Sequence, residues 1–157
     1  MMKHWKSLLV FVAICLMVQA FASWCTFQSV LTWYPTLYKP DWRPPNWLFG
    51  PVWTLLYLSM AIAAWRVWIR RIDVNIIPAM VLFFLQLFLN ALWSVLFFSL
   101  NWIGPASFEI TILWFSIALT GIFFWRIDRI AGALFVPYWM WVSYATALNF
   151  SIWRLNL

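Results

Sequence analysis

The sequence predicts an all-α membrane protein, a five-transmembrane-helix bundle forming a single domain over residues 1–157. Three observations carry this. The chain is 66% hydrophobic and only 9% charged, with a mean hydropathy of +0.87. No soluble domain of this length needs so much apolar surface, so its solvent is lipid. Five apolar runs follow one another, each near the roughly 20 residues that a spanning helix needs. The cations gather at the ends of those runs, where topology sets them.

The first span is expected over 5–27. Its start, MMKHWK followed by an apolar run, has the outline of a signal peptide, but the run is too long and no polar gap follows Ala20 or Ala22. It reads as a retained span. Gln19 and Ser23 stand four apart and share a face.

A loop over 28–45 follows. Pro35, Pro40, Pro44 and Pro45 exclude ordinary helix before Trp47, because proline fixes φ and removes a backbone donor. Trp33, Tyr34, Tyr38, Trp42 and Trp47 suit a stiff loop anchored at a lipid interface. Asn46 is the expected N-cap of the second span, 46–69, and Pro51 is tolerable in its first turn.

The third span is expected over 76–100, with Gln86, Asn90 and Ser94 forming one polar stripe at i, i+4, i+8. Residues 101–105, NWIGP, read as a tight turn. The fourth span is expected over 106–125, with Glu109, Ser116 and Thr120 on one face. The fifth is expected over 132–153, with Tyr138, Trp141, Ala145 and Asn149 along one side.

Lys3, Lys6, Arg66, Arg70, Arg71, Arg126 and Arg129 fall on one side of this topology; Lys39, Arg43 and Arg154 fall on the other. The positive-inside rule places the N-terminus in the cytoplasm and the proline-rich loop opposite. The net charge of +6 therefore reports orientation, and no nucleic-acid partner is expected. Cys15 and Cys25 are too far apart along a helix to bridge. No CxxC, HExxH, GxGxxG or P-loop pattern occurs, His4 is the single histidine, and no metal or cofactor site is read.

Four stretches carry a resemblance: WYPTLYKPDWRPPNW in the loop, PVWTLLYLSMAIAAWRVW in the second span, QLFLNALWSVLFF in the third and VPYWMWVSYATALNFSIWRLN in the fifth. In this order they resemble the tryptophan-rich sensory protein / translocator protein (TspO/MBR) family, over nearly the whole chain from Trp33 onward. The first span is generic and adds little. The resemblance implies a five-helix bundle, often a homodimer, that binds porphyrins and related tetrapyrroles between its helices under the first loop. The tetrapyrrole is then a ligand rather than a cofactor. Carried over by motif, the pocket positions are Trp53, Asn90, Trp141 and Ala145, with Trp33 and Tyr34 in the covering loop. Glu109 falls where the family often has an acidic residue.

Two features depart from the family. The sterol pattern expected near the end of the fifth span fails, because the basic residue after Tyr144 is Arg154; the match at Leu31, Tyr34 and Lys39 lies in a loop. This puts sterol binding in doubt. Ala79 and Ala91 are the only alanines or glycines of the third span, so no small-residue dimer face is evident there.

Each site residue also has a plainer reading. On residue type alone, Asn90 with Gln86 and Ser94 is interhelical glue, and the motif moves Asn90 alone toward the pocket. Trp53 and Trp141 lie inside spans and suit stacking on a planar macrocycle, whereas Trp47, Trp68, Trp102, Trp125 and Trp153 lie at span ends as belt residues. Lys39 and Arg43 suit pairing with porphyrin propionates or snorkelling to headgroups equally. Glu109 is an intramembrane carboxylate about one turn inside the bilayer, a functional group or a hydrated one.

The functional expectation is a tetrapyrrole-binding receptor or transporter-like protein in a bacterial cell membrane, in contact with its lipid. The alternative is an enzyme that degrades porphyrin in light, with Trp53 and Trp141 as the reacting side chains, since no acid–base or nucleophile constellation is present. A small-solute exporter ranks last, with Glu109 as its only support.

Overall fold

The computed structural model describes residues 4–157; Lys3, one of the cations that orient the chain, lies outside them. The described residues form helices and loops without strands. Five are long: α1 (Trp5–Thr32), α2 (Phe49–Ile69), α3 (Ile77–Ser94), α4 (Ile103–Ile127) and α6 (Val136–Leu155), with a short α5 (Arg129–Ala133) between the last two. The first four are long and apolar enough to cross a membrane. The fifth long helix, α6, is long enough but carries Tyr138, Ser143, Tyr144, Thr146, Asn149, Ser151 and Arg154. The protein is an all-helical, integral multi-pass membrane bundle.

Helix α1 ends at Thr32 rather than at 27, so the loop spans 33–45 instead of 28–45. No breaker stands before Pro35, and the hydroxyls of Thr26 and Thr32 fold back onto the carbonyls of Ala22 and Gln28 at 2.7 and 2.8 Å. Asn46 is not an N-cap: it opens a 3₁₀ turn (Asn46–Leu48) that runs into α2, and no side chain caps α2. Pro51 does fall in the first turn of α2.

After Ser94, α3 widens into a π-helical segment, Val95–Ser99, which brings Phe97 into the interior. Asn101 then takes φ 57°, a left-handed conformation that asparagine tolerates, and α4 begins at Ile103 rather than at 106. Pro105 sits in the first turn of α4, where its missing N–H costs nothing.

The expected fifth span, 132–153, is interrupted. Asp128 ends α4 and caps α5, its Oδ1 accepting from Ala131 N at 2.8 Å, and α6 starts only at Val136 with Pro137 in its first turn. A Cβ on Gly132 would stand 2.6 Å from Trp125 Cα, so this turn closes only because residue 132 has no side chain.

The polar stripes face inward. Gln86, Asn90 and Ser94 are buried, as are Glu109, Ser116 and Thr120. Tyr57 on α2, Asn90 and Gln86 on α3 and Tyr138 on α6 form one chain. The Tyr57 hydroxyl donates to Asn90 Oδ1 (2.8 Å), Asn90 Nδ2 donates to the Tyr138 hydroxyl (2.7 Å), and that hydroxyl donates to Gln86 Oε1 (3.0 Å). Phe83, Phe124 and Phe135 complete the core beneath it. Trp47, Trp102 and Trp125 are exposed at helix ends, as belt residues are.

Candidate ligand-binding site

A cavity of about 390 Å³ lies between α1, α2, α3 and α6, under the first loop. Its size is that of a small-molecule site, which typically occupies ~300–1,000 Å³. Its floor is the Tyr57–Asn90 end of the buried polar chain, where the local sequence alternates large apolar residues with single amides at helical spacing. Trp53 covers this floor, its ring 5.9 Å from that of Tyr57 and 6.2 Å from that of Tyr138.

One wall is aromatic. Trp93 stacks on Phe97 at 5.5 Å with an interplanar angle of 24°, and the π-helical segment sets this register. The Trp93 indole donates to Asn149 Oδ1 at 3.0 Å, and Asn149 Nδ2 donates to Ser107 Oγ at 2.6 Å, tying α3, α6 and α4 together at the cavity edge. Opposite, α1 presents Gln19, Ser23 and Thr26, a polar stripe on an apolar helix. Gln19 Nε2 donates to Thr54 Oγ1 at 2.7 Å, while Gln19 Oε1 is buried without a partner.

The roof is the loop. Tyr34 is buried within it, and burial raises its hydroxyl above the ordinary tyrosine range. Lys39 directs its ammonium to the carbonyls of Leu37 (2.6 Å), Tyr34 (2.7 Å) and Pro35 (3.3 Å). It also lies 4.9 Å above the Tyr34 ring. Burial, and then the charge of Arg43, lower Lys39 below its usual value.

The structure brings Tyr34, Trp53, Asn90 and Ala145 to the cavity surface. Trp33 and Trp141 stand one layer behind: Trp33 meets Phe97 edge-on at 5.7 Å, and Trp141 meets Phe49 edge-on at 5.7 Å. Lys39 and Arg43 do not line the cavity, and Lys39 is occupied in holding the loop. Both ends of the Asn90 amide bond within the bundle, which is the glue reading of that residue. Glu109 is buried without a hydrogen-bond partner and lies outside the cavity lining. Sequence reasoning missed Trp93, Phe97 and Gln19 as lining residues. Trp93 stands three residues after Asn90, so the helical period carried its signal.

Among the described residues no three His, Cys, Asp or Glu side chains cluster as a metal site would require. The arrangement can hold a flat, mostly apolar molecule against aromatic walls and offer it a few polar atoms.

Apolar helices around such a cavity, roofed by a pinned loop, define a membrane protein of receptor-like type. The TspO/MBR family profile matches residues 11–154, and the chain belongs to the TspO/MBR family. It is 40% identical over 160 residues to the tryptophan-rich protein TspO of Chlorobaculum tepidum, covering 99% of both chains. It is 41% identical over 125 residues to protein CrtK of Rhodobacter capsulatus, covering 79% of this chain and 78% of that one. It is 33% identical over 128 residues to the human translocator protein, covering 80% and 76%.

Proposed function

We propose that this protein is a five-span receptor for tetrapyrroles such as protoporphyrin IX, embedded in a bacterial cell membrane with its N-terminus in the cytoplasm. One observation carries the reading: the 390 Å³ cavity has Trp53 and the Trp93–Phe97 stack as walls and amide and hydroxyl groups at its edges. A macrocycle gains from aromatic faces over its π system and from a few polar contacts at its rim. Ala145, small and buried, leaves room for it.

The test is a dark titration of the detergent-purified protein with protoporphyrin IX, followed by tryptophan quenching and the Soret band. The expected result is saturable binding that Trp53→Ala weakens about tenfold, the loss of one aromatic wall. Quenching that rises without saturation, or equally in Trp53→Ala, defeats the reading.

A further inference from the structure

We infer that the cavity fills sideways from the bilayer, through a gap between α1 and the start of α2, so that its occupant is a lipid-dissolved molecule with at least one hydrogen-bond donor. This rests on the cavity being a binding site.

The two helices run antiparallel. Trp65 on α2 donates to the carbonyl of His4 at 3.1 Å near one end, and Gln19 bonds Thr54 at 2.7 Å near the middle. Beyond Thr54 toward the loop, no side-chain hydrogen bond joins them among the described residues. Ser23 on α1 and Gly50 on α2 come next, and both are exposed while lining the cavity. A Cβ on Gly50 would meet nothing within 4 Å, so the space beside it is open. Phe27 and Leu31 form the rim: each lines the cavity and is still 68% and 66% exposed on a helix whose outer surface faces lipid.

The aqueous side is fastened. Tyr38 N donates to Asn156 Oδ1 at 3.0 Å and Asn156 Nδ2 returns a bond to the Tyr38 carbonyl at 2.9 Å, clipping the loop to the end of α6. The Tyr144 hydroxyl donates to the Trp42 carbonyl at 2.9 Å, a second clip. These bonds hold the loop over the cavity on the aqueous side, whereas the side facing the acyl chains is open at Gly50. At the inner corner of the gap the unpartnered Gln19 Oε1 is an acceptor awaiting a donor.

The test reads thiol modification in proteoliposomes and needs no ligand. Ser94→Cys puts a thiol on the cavity wall of a Cys15→Ala/Cys25→Ser protein, with Ala145→Cys as a second position in case the first variant fails to fold. Lipid-soluble N-cyclohexylmaleimide should label it, and a charged methanethiosulfonate sulfonate added outside should not. Gly50→Trp should slow the labelling about tenfold, as blocking an entry route slows association, and Asn156→Ala should leave it unchanged. Faster labelling by the charged reagent, labelling by neither reagent at either position, or acceleration by Asn156→Ala with no effect of Gly50→Trp overturns the inference. A protein that labels from the lipid but does not bind protoporphyrin IX loses the tetrapyrrole reading and keeps the side entrance.

Discussion

Arg66 grips Asp128 with both arms of its guanidinium: Nε donates to Oδ1 at 2.9 Å and Nη2 donates to Oδ2 at 2.8 Å. The same carboxylate caps α5 through Ala131 N. One buried side chain thus locks the end of α2 to the α4–α5 turn on the side opposite the cavity. Fork-on-carboxylate pairing of this kind is charge-assisted and fixes geometry. Asp128→Ala removes the pair and the cap together and should lower stability by about 2–4 kcal/mol. Thermal unfolding in detergent at pH 7 measures it.

The same pair sets a pH dependence. The Arg66 hydrogen bonds, with the Ala131 N–H, hold Asp128 below the usual carboxylate range. A lowered native value means that the unfolded chain binds the proton first as pH falls. The stabilisation is therefore complete above the unfolded value near 3.9 and is lost as pH drops through the lower native one. Melting temperature should fall in that acid window in the wild type, and the fall should be shallower in Asp128→Asn. Parallel curves for the two proteins would show that Asp128 does not contribute.

Tyr138 serves two amides with one hydroxyl, accepting from Asn90 and donating to Gln86. Tyr138→Phe leaves both without that partner inside the bundle. Single hydrogen bonds between membrane helices average about 0.6 kcal/mol, but stranding two buried groups at once should raise the loss to about 1–3 kcal/mol. Unfolding of the variant in a graded detergent mixture measures this. A loss of only a few tenths would mean that the amides find other partners.

Two glycines make a matched pair. Gly132→Ala sets a methyl against the Trp125 backbone at 2.6 Å and should cost about 1–3 kcal/mol, since the backbone cannot move aside as a side chain can. Gly50→Ala meets open space and should be neutral or stabilising by up to about 1 kcal/mol through helix propensity. Melting curves of the two variants side by side give the comparison.

The tetrapyrrole reading separates Trp53 from Trp141. Trp141 does not line the cavity and meets its lining edge-on at Phe49, a contact that phenylalanine keeps. Trp141→Phe should therefore bind protoporphyrin IX within about twofold of wild type, while Trp53→Ala loses a wall. Equal losses in the two would place the macrocycle elsewhere. The same contrast bears on light-driven porphyrin degradation: Trp53 lines the cavity, so Trp53→Phe and not Trp141→Phe should change the bleaching rate of bound pigment.

How much of this was legible follows from what each feature depends on. The helices follow from apolar run length and the inward stripes from helical period, so Gln86, Asn90 and Ser94 were readable as one buried face. Tyr34, Trp53, Asn90 and Ala145, carried by motif, do line the cavity. The helix ends were less legible. Nothing stops α1 before Pro35, and the break at Asp128 involves a residue that caps α5 while it pairs with Arg66 from another helix. Lys39 suited a propionate or a lipid headgroup equally, and neither reading foresaw its three carbonyl partners, which come together only when the loop turns. Trp33 and Trp141 fell one layer back because side-chain period gives a face but not a depth.

The most direct measurement of the central claim is a dark Soret titration of the wild type beside Ala145→Phe, which fills the cavity from a buried position on α6 without touching the Tyr57–Asn90–Tyr138 bonds. The account predicts saturable protoporphyrin IX binding to the wild type and at least about a tenfold loss in the variant. Unsaturable binding to the wild type, or equal affinity in a folded Ala145→Phe protein, would contradict it.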